Sequence, residues 1–531
     1  MKKHAALIIS AALATLTACT PEPTAPTPTA TTITIATEPL AAINPLEQQP
    51  HPLTTLLYQP LFSYLPHSTN QYHLDTVRSL GNVTDISPDA TTYTITLHNR
   101  SWSDQTPITT NDIELWWQLS NATQTLPETI TKLTILSPDT FTITADQTYN
   151  PNWFIANQLN HITPLPQHAW NPAKTLTPTE LLDQITADAS NPNQPRWKIT
   201  NGPYVIAANS PQETSTTLAI NPNYDGLDKP TIPKIILTNT GEQHRTADYQ
   251  TLPFNTDPET LNELQKAGFT IMPRYRHAIE YAVLNMTNPL IGETYIRNAM
   301  QQLVDQQTII KTVWNGHALP GCGPTPTNPN QPCAPTYNPM AAQKLLEKNG
   351  WAKRGGKFHC IDAEKCGREM ETGQELTLNI IAPNGAFSDK VFPILERNFA
   401  SAGIKLYLTK ADNPFEMVSQ CEQVADCSWQ LGVFTNDFAW NFPIWATGEE
   451  ILSTLGKANL GSFSSPEVDA GIEASVFSDG NDAMSAYIEA VASENPLIWL
   501  PTPADSFIVV RDSLVGVDPN SGFLPQDWRL R

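Results

Sequence analysis

Apolar and polar residues alternate along residues 33–200 at two spacings. Tyr93-Thr94-Ile95-Thr96-Leu97 changes character at every second position, the period of a strand with one buried face. Leu133-Thr134-Ile135 and Phe141-Thr142-Ile143 do the same on either side of Ser137-Pro138-Asp139, which predicts a hairpin. Thr109-Thr110-Asn111-Asp112 has the form of a helix-opening capping box, and Ile113, Trp116 and Trp117 follow at helical spacing. The two tryptophans read as core rather than as ligand walls. The later half alternates helix and strand. Asn338 followed by Pro339 predicts a helix start, with Leu345 and Leu346 on its buried face and Gly350 at its end. Ile394, Leu395, Asn398 and Phe399 predict a helix broken by Gly403, and Ile404–Leu408 a strand. Ser465-Pro466-Glu467 predicts another helix start. A β-rich half joined to an α/β half implies an α/β protein of two lobes.

The amino terminus follows a different pattern. Lys2 and Lys3 precede an apolar run from Ala5 to Ala18, shorter than the ~20 residues a membrane span needs. This is the form of a secretory signal, and Leu16-Thr17-Ala18-Cys19 resembles a bacterial lipobox. The expectation is a signal over residues 1–18 and a diacylglycerol on Cys19, strong enough to hold a protein on a membrane. Residues 19–32, rich in Thr and Pro, have nothing large to bury and read as an extended tether.

Composition narrows the partners. The net charge is -21 with 16% of residues charged, which argues against nucleic acid or an anionic lipid surface as partner. Contact with membrane is expected through the lipid alone. Six cysteines remain after Cys19, in three close pairs: Cys322/Cys333, Cys360/Cys366 and Cys421/Cys427. An exported chain permits disulfides, and close pairs suggest local loops, although spacing does not settle connectivity. A metal site is the competing reading, but no Cys-x-x-Cys occurs and His359 is the only nearby histidine. No cofactor and no metal are expected. No Gly-x-Ser-x-Gly, His-Glu-x-x-His or phosphate loop is present, so the chain does not read as an enzyme.

Five segments then carry a resemblance. They are Leu57–Phe62, Trp102-Ser103-Asp104-Gln105-Thr106-Pro107-Ile108-Thr109 through Asp112, Asn201-Gly202-Pro203-Tyr204 with Asn221-Pro222-Asn223-Tyr224, Asn285 with Ile296–Ala299, Asp305 and Gly316, and Ser464–Asp469. In this order they resemble the family 5 (peptide/nickel-type) solute-binding subunits of bacterial ABC importers. Gln105 departs from that family's usual glycine. The resemblance implies a two-lobed fold closing on its ligand, with crossings near Tyr281–Asn285 and Pro496–Trp499. It implies a first lobe of residues 33–53, 195–282 and 497–531, a β-rich subdomain over 54–194, and a second lobe over 283–496. Most of the motif residues are expected to be structural, with Arg297 packing between the lobes.

By the same resemblance, Asp437 falls where peptide-binding relatives keep an aspartate for the peptide α-amine. Phe434, Phe438, Trp440 and Asn441 would wall that pocket. The loop Ala382-Pro383-Asn384-Gly385, where dipeptide binders place an arginine, has no basic residue, which argues against a dipeptide. The implied partners are a peptide or other small solute and ABC permease subunits, with the protein itself a monomer. The alternative is the same fold reused by an envelope lipoprotein that regulates lipoglycan assembly.

Overall fold

The structure, a computed structural model, describes residues 32–37, 53–66, 72–189, 191, 193–210, 215–238, 246–327, 333–334, 337–421, 429–434, 439–478 and 482–531. Two large sheets organise it. The first has seven strands, in the order Phe269–Arg274, Ser506–Arg511, Tyr249–Pro253, Thr32–Ala36, Lys234–Thr238, Ser215–Ile220 and Tyr204–Ser210. Thr32–Ala36 lies inside this sheet, parallel to Lys234–Thr238, with Ile33 beside Ile235. Both isoleucines are buried, as a central strand requires. The second sheet has six strands. Lys405–Ala411, Thr377–Pro383, Leu431–Gly432 and Ala278–Leu284 run side by side, and Trp440–Asn441 and Leu497–Leu500 both pair with Ala278–Leu284.

Ala278–Leu284 sends alternate residues into two cores. Ala282 and Leu284 face one, while Ile279, Tyr281 and Val283 face the other. Its partner Leu497–Leu500 divides likewise, with Ile498 and Leu500 on the first side and Leu497 and Trp499 on the second. The chain leaves the first sheet at Arg274 and returns to it at Ser506. Both exchanges therefore lie a few residues to the first-sheet side of the expected crossings.

A four-stranded antiparallel sheet, in the order Gly81–Ile86, Thr92–Leu97, Thr140–Ala145 and Ile130–Ile135, shares the first sheet's core. Tyr93, Ile95 and Leu97 are its buried face, and Leu133 pairs with Ile143 across the expected hairpin. Asp112 accepts a hydrogen bond from Thr109 N at 2.8 Å and so closes the predicted helix start. Ile113 and Trp116 are core residues, with Trp117 packed at the edge. Asn338 accepts from Ala341 N at 3.0 Å, and Gly403 ends helix Phe392–Ala402 at φ 93°. Leu346 is fully buried and Leu345 half-buried.

Three of the five segments bind one another. Asn201 N and Gly202 N donate to Leu57 O, and Gln59 N donates to Asn201 Oδ1 at 2.8 Å. A Cβ on Gly202 would lie 2.2 Å from Leu56 O, so only glycine fits. Asn223 Nδ2 donates to Ser103 O at 2.7 Å, tying the Asn-Pro-Asn-Tyr turn to the Trp-Ser-Asp segment. Gln105 itself adopts φ 70°, a left-handed conformation that costs a residue with a side chain roughly 1–2 kcal/mol.

The expectation for Arg297 is corrected. Its guanidinium donates to Glu494 O, Ile291 O and Gly292 O and pairs with the Glu494 carboxylate at 3.1 Å. All these partners lie on the second sheet's side. Arg297 closes the carbonyl end of helix Ala483–Glu494, where a cation is favoured by the helix dipole.

Disulfides join Cys322 to Cys333 and Cys360 to Cys366. Cys19 and the Cys421/Cys427 pair lie outside the residues whose side chains are described. Among the described residues, no helix is long and apolar enough to cross a membrane.

Candidate functional site

The site is built where the two sheets' halves face each other. Helix Gln306–Val313 starts at Asp305, which accepts from Thr308 N at 3.0 Å and Thr308 Oγ1 at 2.6 Å. It ends in a turn with Asn315 at φ 50° and Gly316 at φ 86°, closed by His317 N donating to Trp314 O at 2.8 Å. The turn directs Trp314 and His317 toward the first sheet, with Trp314 still packed on the second sheet's core. His317 is held there by Ala504 N, which donates to His317 O at 2.9 Å, and by pairing of Ala318–Leu319 with Thr502–Pro503.

Opposite stands the loop that joins strand Tyr249–Pro253 to helix Pro258–Lys266. Asp257 starts that helix, accepting from Thr260 N at 2.8 Å and Thr260 Oγ1 at 2.6 Å. A small core of Leu252, Leu264, Phe269, Phe507 and Val509 supports it from beneath. Phe254 meets Phe507 at 5.5 Å between ring centroids and reaches across to Trp314 at 5.9 Å, while His317 stands edge-on to Phe507 at 5.0 Å.

Between these walls lies an outer chamber of about 510 Å³. That is within the ~300–1,000 Å³ usual for ligand pockets. Half of its polar lining is side-chain amides, Asn255, Asn262, Gln265 and Asn315; Thr256, Asp257, His317 and Lys390 supply the rest. Lys390 sits on Phe387–Val391, a single widened turn ahead of helix Phe392–Ala402. Trp314 also lines a narrower inner chamber with Glu280, Phe387, Val433 and Leu500. Glu280 lies on Ala278–Leu284, and its backbone N–H donates to Thr502 Oγ1 at 3.1 Å. Burial lowers the His317 pKa, which keeps the ring neutral at pH 7.

A second junction lies at the start of Ala278–Leu284. The His277 ring is flanked by Tyr72, edge-on at 4.8 Å, and Phe442 at 6.4 Å. Its Nε2 is buried and makes no hydrogen bond among the described residues, and burial drives the ring pKa down to about 4, against a weaker raising pull from the Pro443 backbone.

The residues expected at the site distribute unevenly. Phe434 is buried in the second sheet's core, edge-on to Phe415 at 6.2 Å, and lines neither chamber, although its neighbour Val433 lines the inner one. Trp440 is half-buried beside Ile279, and Asn441 is exposed beside Ala278. Asp437 and Phe438 lie outside the described residues. Sequence reasoning missed Phe254, Trp314, His317, Lys390 and Phe507. One available signal was Gly316, which marked a tight turn right beside Trp314 and His317.

Comparison with known proteins agrees with this architecture. The model for bacterial extracellular solute-binding proteins, family 5 middle region, matches residues 75–449. A Brucella ovis protein named for ABC-transporter peptide binding is 24% identical over 294 residues, covering 53% of each chain. The chain thus spans about half the length of the curated relatives it matches. Among solved structures, the unliganded open form of MppA, a periplasmic murein tripeptide-binding protein, superposes with a TM-score of 0.70 at 15% identity, over 94% of this chain and 97% of that one. A nickel ABC transporter protein from Bacillus halodurans gives 0.69 at 14% identity, over 94% and 99%. These neighbours share the two-lobed α/β fold. With more than half its length matched by the family model, the chain belongs to the bacterial extracellular solute-binding proteins of family 5.

Proposed function

We propose that this protein is a lipid-anchored receptor that captures oligopeptides between its lobes and delivers them to the permease of an ABC importer. The observation that carries the reading is the outer chamber. It draws walls from both sides of the molecule, and it offers amides for a peptide backbone and aromatic rings for side chains. A ligand held there touches both halves, so binding favours the closed arrangement. The curated relatives named for peptide binding support the same substrate class.

In this reading Cys19 carries the lipid and residues 19–32 form the tether. The first lobe comprises 33–53, 195–282 and 497–531 with the β-rich insertion 54–194, and the second lobe 283–496. Asp437 pairs with the peptide amine, with Phe438, Trp440 and Asn441 nearby. The protein acts as a monomer without a cofactor.

Native mass spectrometry of the purified protein tests this. Adducts with the masses of short peptides, released on unfolding, are expected. A protein that carries no such adduct and retains nothing from a randomised library of three- to six-residue peptides is not an oligopeptide receptor.

A further inference from the structure

Two charged groups line the outer chamber among the described residues, Asp257 and Lys390. The Asp257 carboxylate is occupied on both oxygens by Thr260. His317 is neutral. Lys390 is the chamber's one lysine or arginine, and among the described residues it makes no ion pair. The neighbouring Asp389 turns away from it to Lys410 at 2.8 Å. The chamber therefore combines three large rings, a set of neutral amides, a carboxylate whose oxygens cap their own helix start, and one ammonium without an ion-pair partner. A bare cation beside an apolar wall suits a ligand that ends in an anion and carries a large apolar group next to it.

Resting on the peptide reading above, we infer that the outer chamber receives the carboxyl-terminal residue of the bound peptide. Its aromatic or bulky apolar side chain packs against Phe254, Trp314 and Phe507, and its carboxylate pairs with Lys390. Peptide preference is thus set at the carboxyl end. This also accounts for the absence of a basic residue in the loop Ala382–Gly385, since the cation stands on the following turn instead.

Three peptide pools test this on the full mature protein: Xaa-Xaa-Xaa-Phe as the free acid, the same pool as the carboxamide, and Xaa-Xaa-Xaa-Ala as the free acid. The acid Phe pool should bind at least about tenfold more tightly than its amide and about fivefold or more above the Ala pool. Lys390→Met, at an exposed position, should erase the acid-over-amide preference and leave the Phe-over-Ala preference. Trp314→Leu should do the reverse. Equal binding of acid and amide by the wild type overturns the inference, as does either variant keeping the preference it should lose. If none of the pools binds, the peptide reading falls and the inference with it; binding without these preferences leaves the peptide reading in place and removes the inference alone.

Discussion

Asn157 clasps the backbone of Trp445 from both sides. Its Nδ2 donates to Trp445 O at 3.1 Å, and its Oδ1 accepts from Trp445 N at 2.8 Å. Asn157 ends helix Pro151–Asn157 on the first sheet's core, and Trp445 follows strand Trp440–Asn441 of the second sheet. Asn150 N donating to Val476 O at 2.7 Å and Tyr149 against Phe477 at 5.4 Å extend the same seam. Asn157→Ala would leave a peptide N–H and C=O unpaired in a half-buried seam, a cost of about 1–3 kcal/mol. The melting temperature should fall by about 2–6 °C, and small-angle scattering should report a larger radius of gyration. If both stay at wild-type values, the clasp does not hold the halves together.

His277 should make stability depend on acidity. In the fold its ring stays neutral down to about pH 4, whereas the unfolded chain takes up the proton near pH 6.5. The folded pKa is depressed, so this contribution is complete above pH 6.5 and is lost as pH falls towards 4. The size is about 3 kcal/mol across the window. His277→Phe keeps a ring between Tyr72 and Phe442 and removes the proton site. Denaturant titrations at pH 7 and pH 4.5 should show a smaller loss for the variant; equal losses would assign the acid sensitivity to other groups.

The cysteines should map, without reduction, as Cys322–Cys333, Cys360–Cys366 and Cys421–Cys427. The first two are present in the structure and the third follows from their pattern. Replacing Cys360 and Cys366 together by serine opens a loop of separation 6 and should cost about 2–3 kcal/mol on the chain-entropy account. Peptide mapping that found Cys421 or Cys427 as a free thiol would contradict the third pairing.

Asp437→Asn tests the amine anchor. Breaking a buried charge pair costs about 3–5 kcal/mol, so affinity for a peptide with a free amino terminus should drop at least about a hundredfold. The N-acetylated peptide should bind the wild type poorly and lose little more on mutation. Calorimetry on both peptides and both proteins closes the cycle. Unchanged affinity for the free-amine peptide would make Asp437 an ordinary loop residue.

Local chemistry was legible wherever a residue acts on its own neighbours. Tyr93–Leu97 declared its buried face by alternation, Asn338 its helix start, and Gly403 its helix end. Ala278–Leu284 hid its role because both faces are buried, and no alternation survives when two cores share one strand. Arg297 was misplaced because its partner is the far end of a helix about two hundred residues later. The chamber was illegible for the same reason. Phe254, Trp314 and Phe507 stand far apart in the chain, and only the docking of two halves makes them one wall. Lys390 was not legible because it stands on the turn after the loop where the resemblance places a base.

The two connectors between the sheets do not run independently. Asp505 N donates to Arg274 O at 2.8 Å, and the Arg274 guanidinium returns to the Asp505 carboxylate at 2.5 Å. Two straps pinned to each other at one point bend together and resist twisting. A push on either strap is therefore felt by both, and the two links between the sheets meet in a single joint at Arg274 and Asp505.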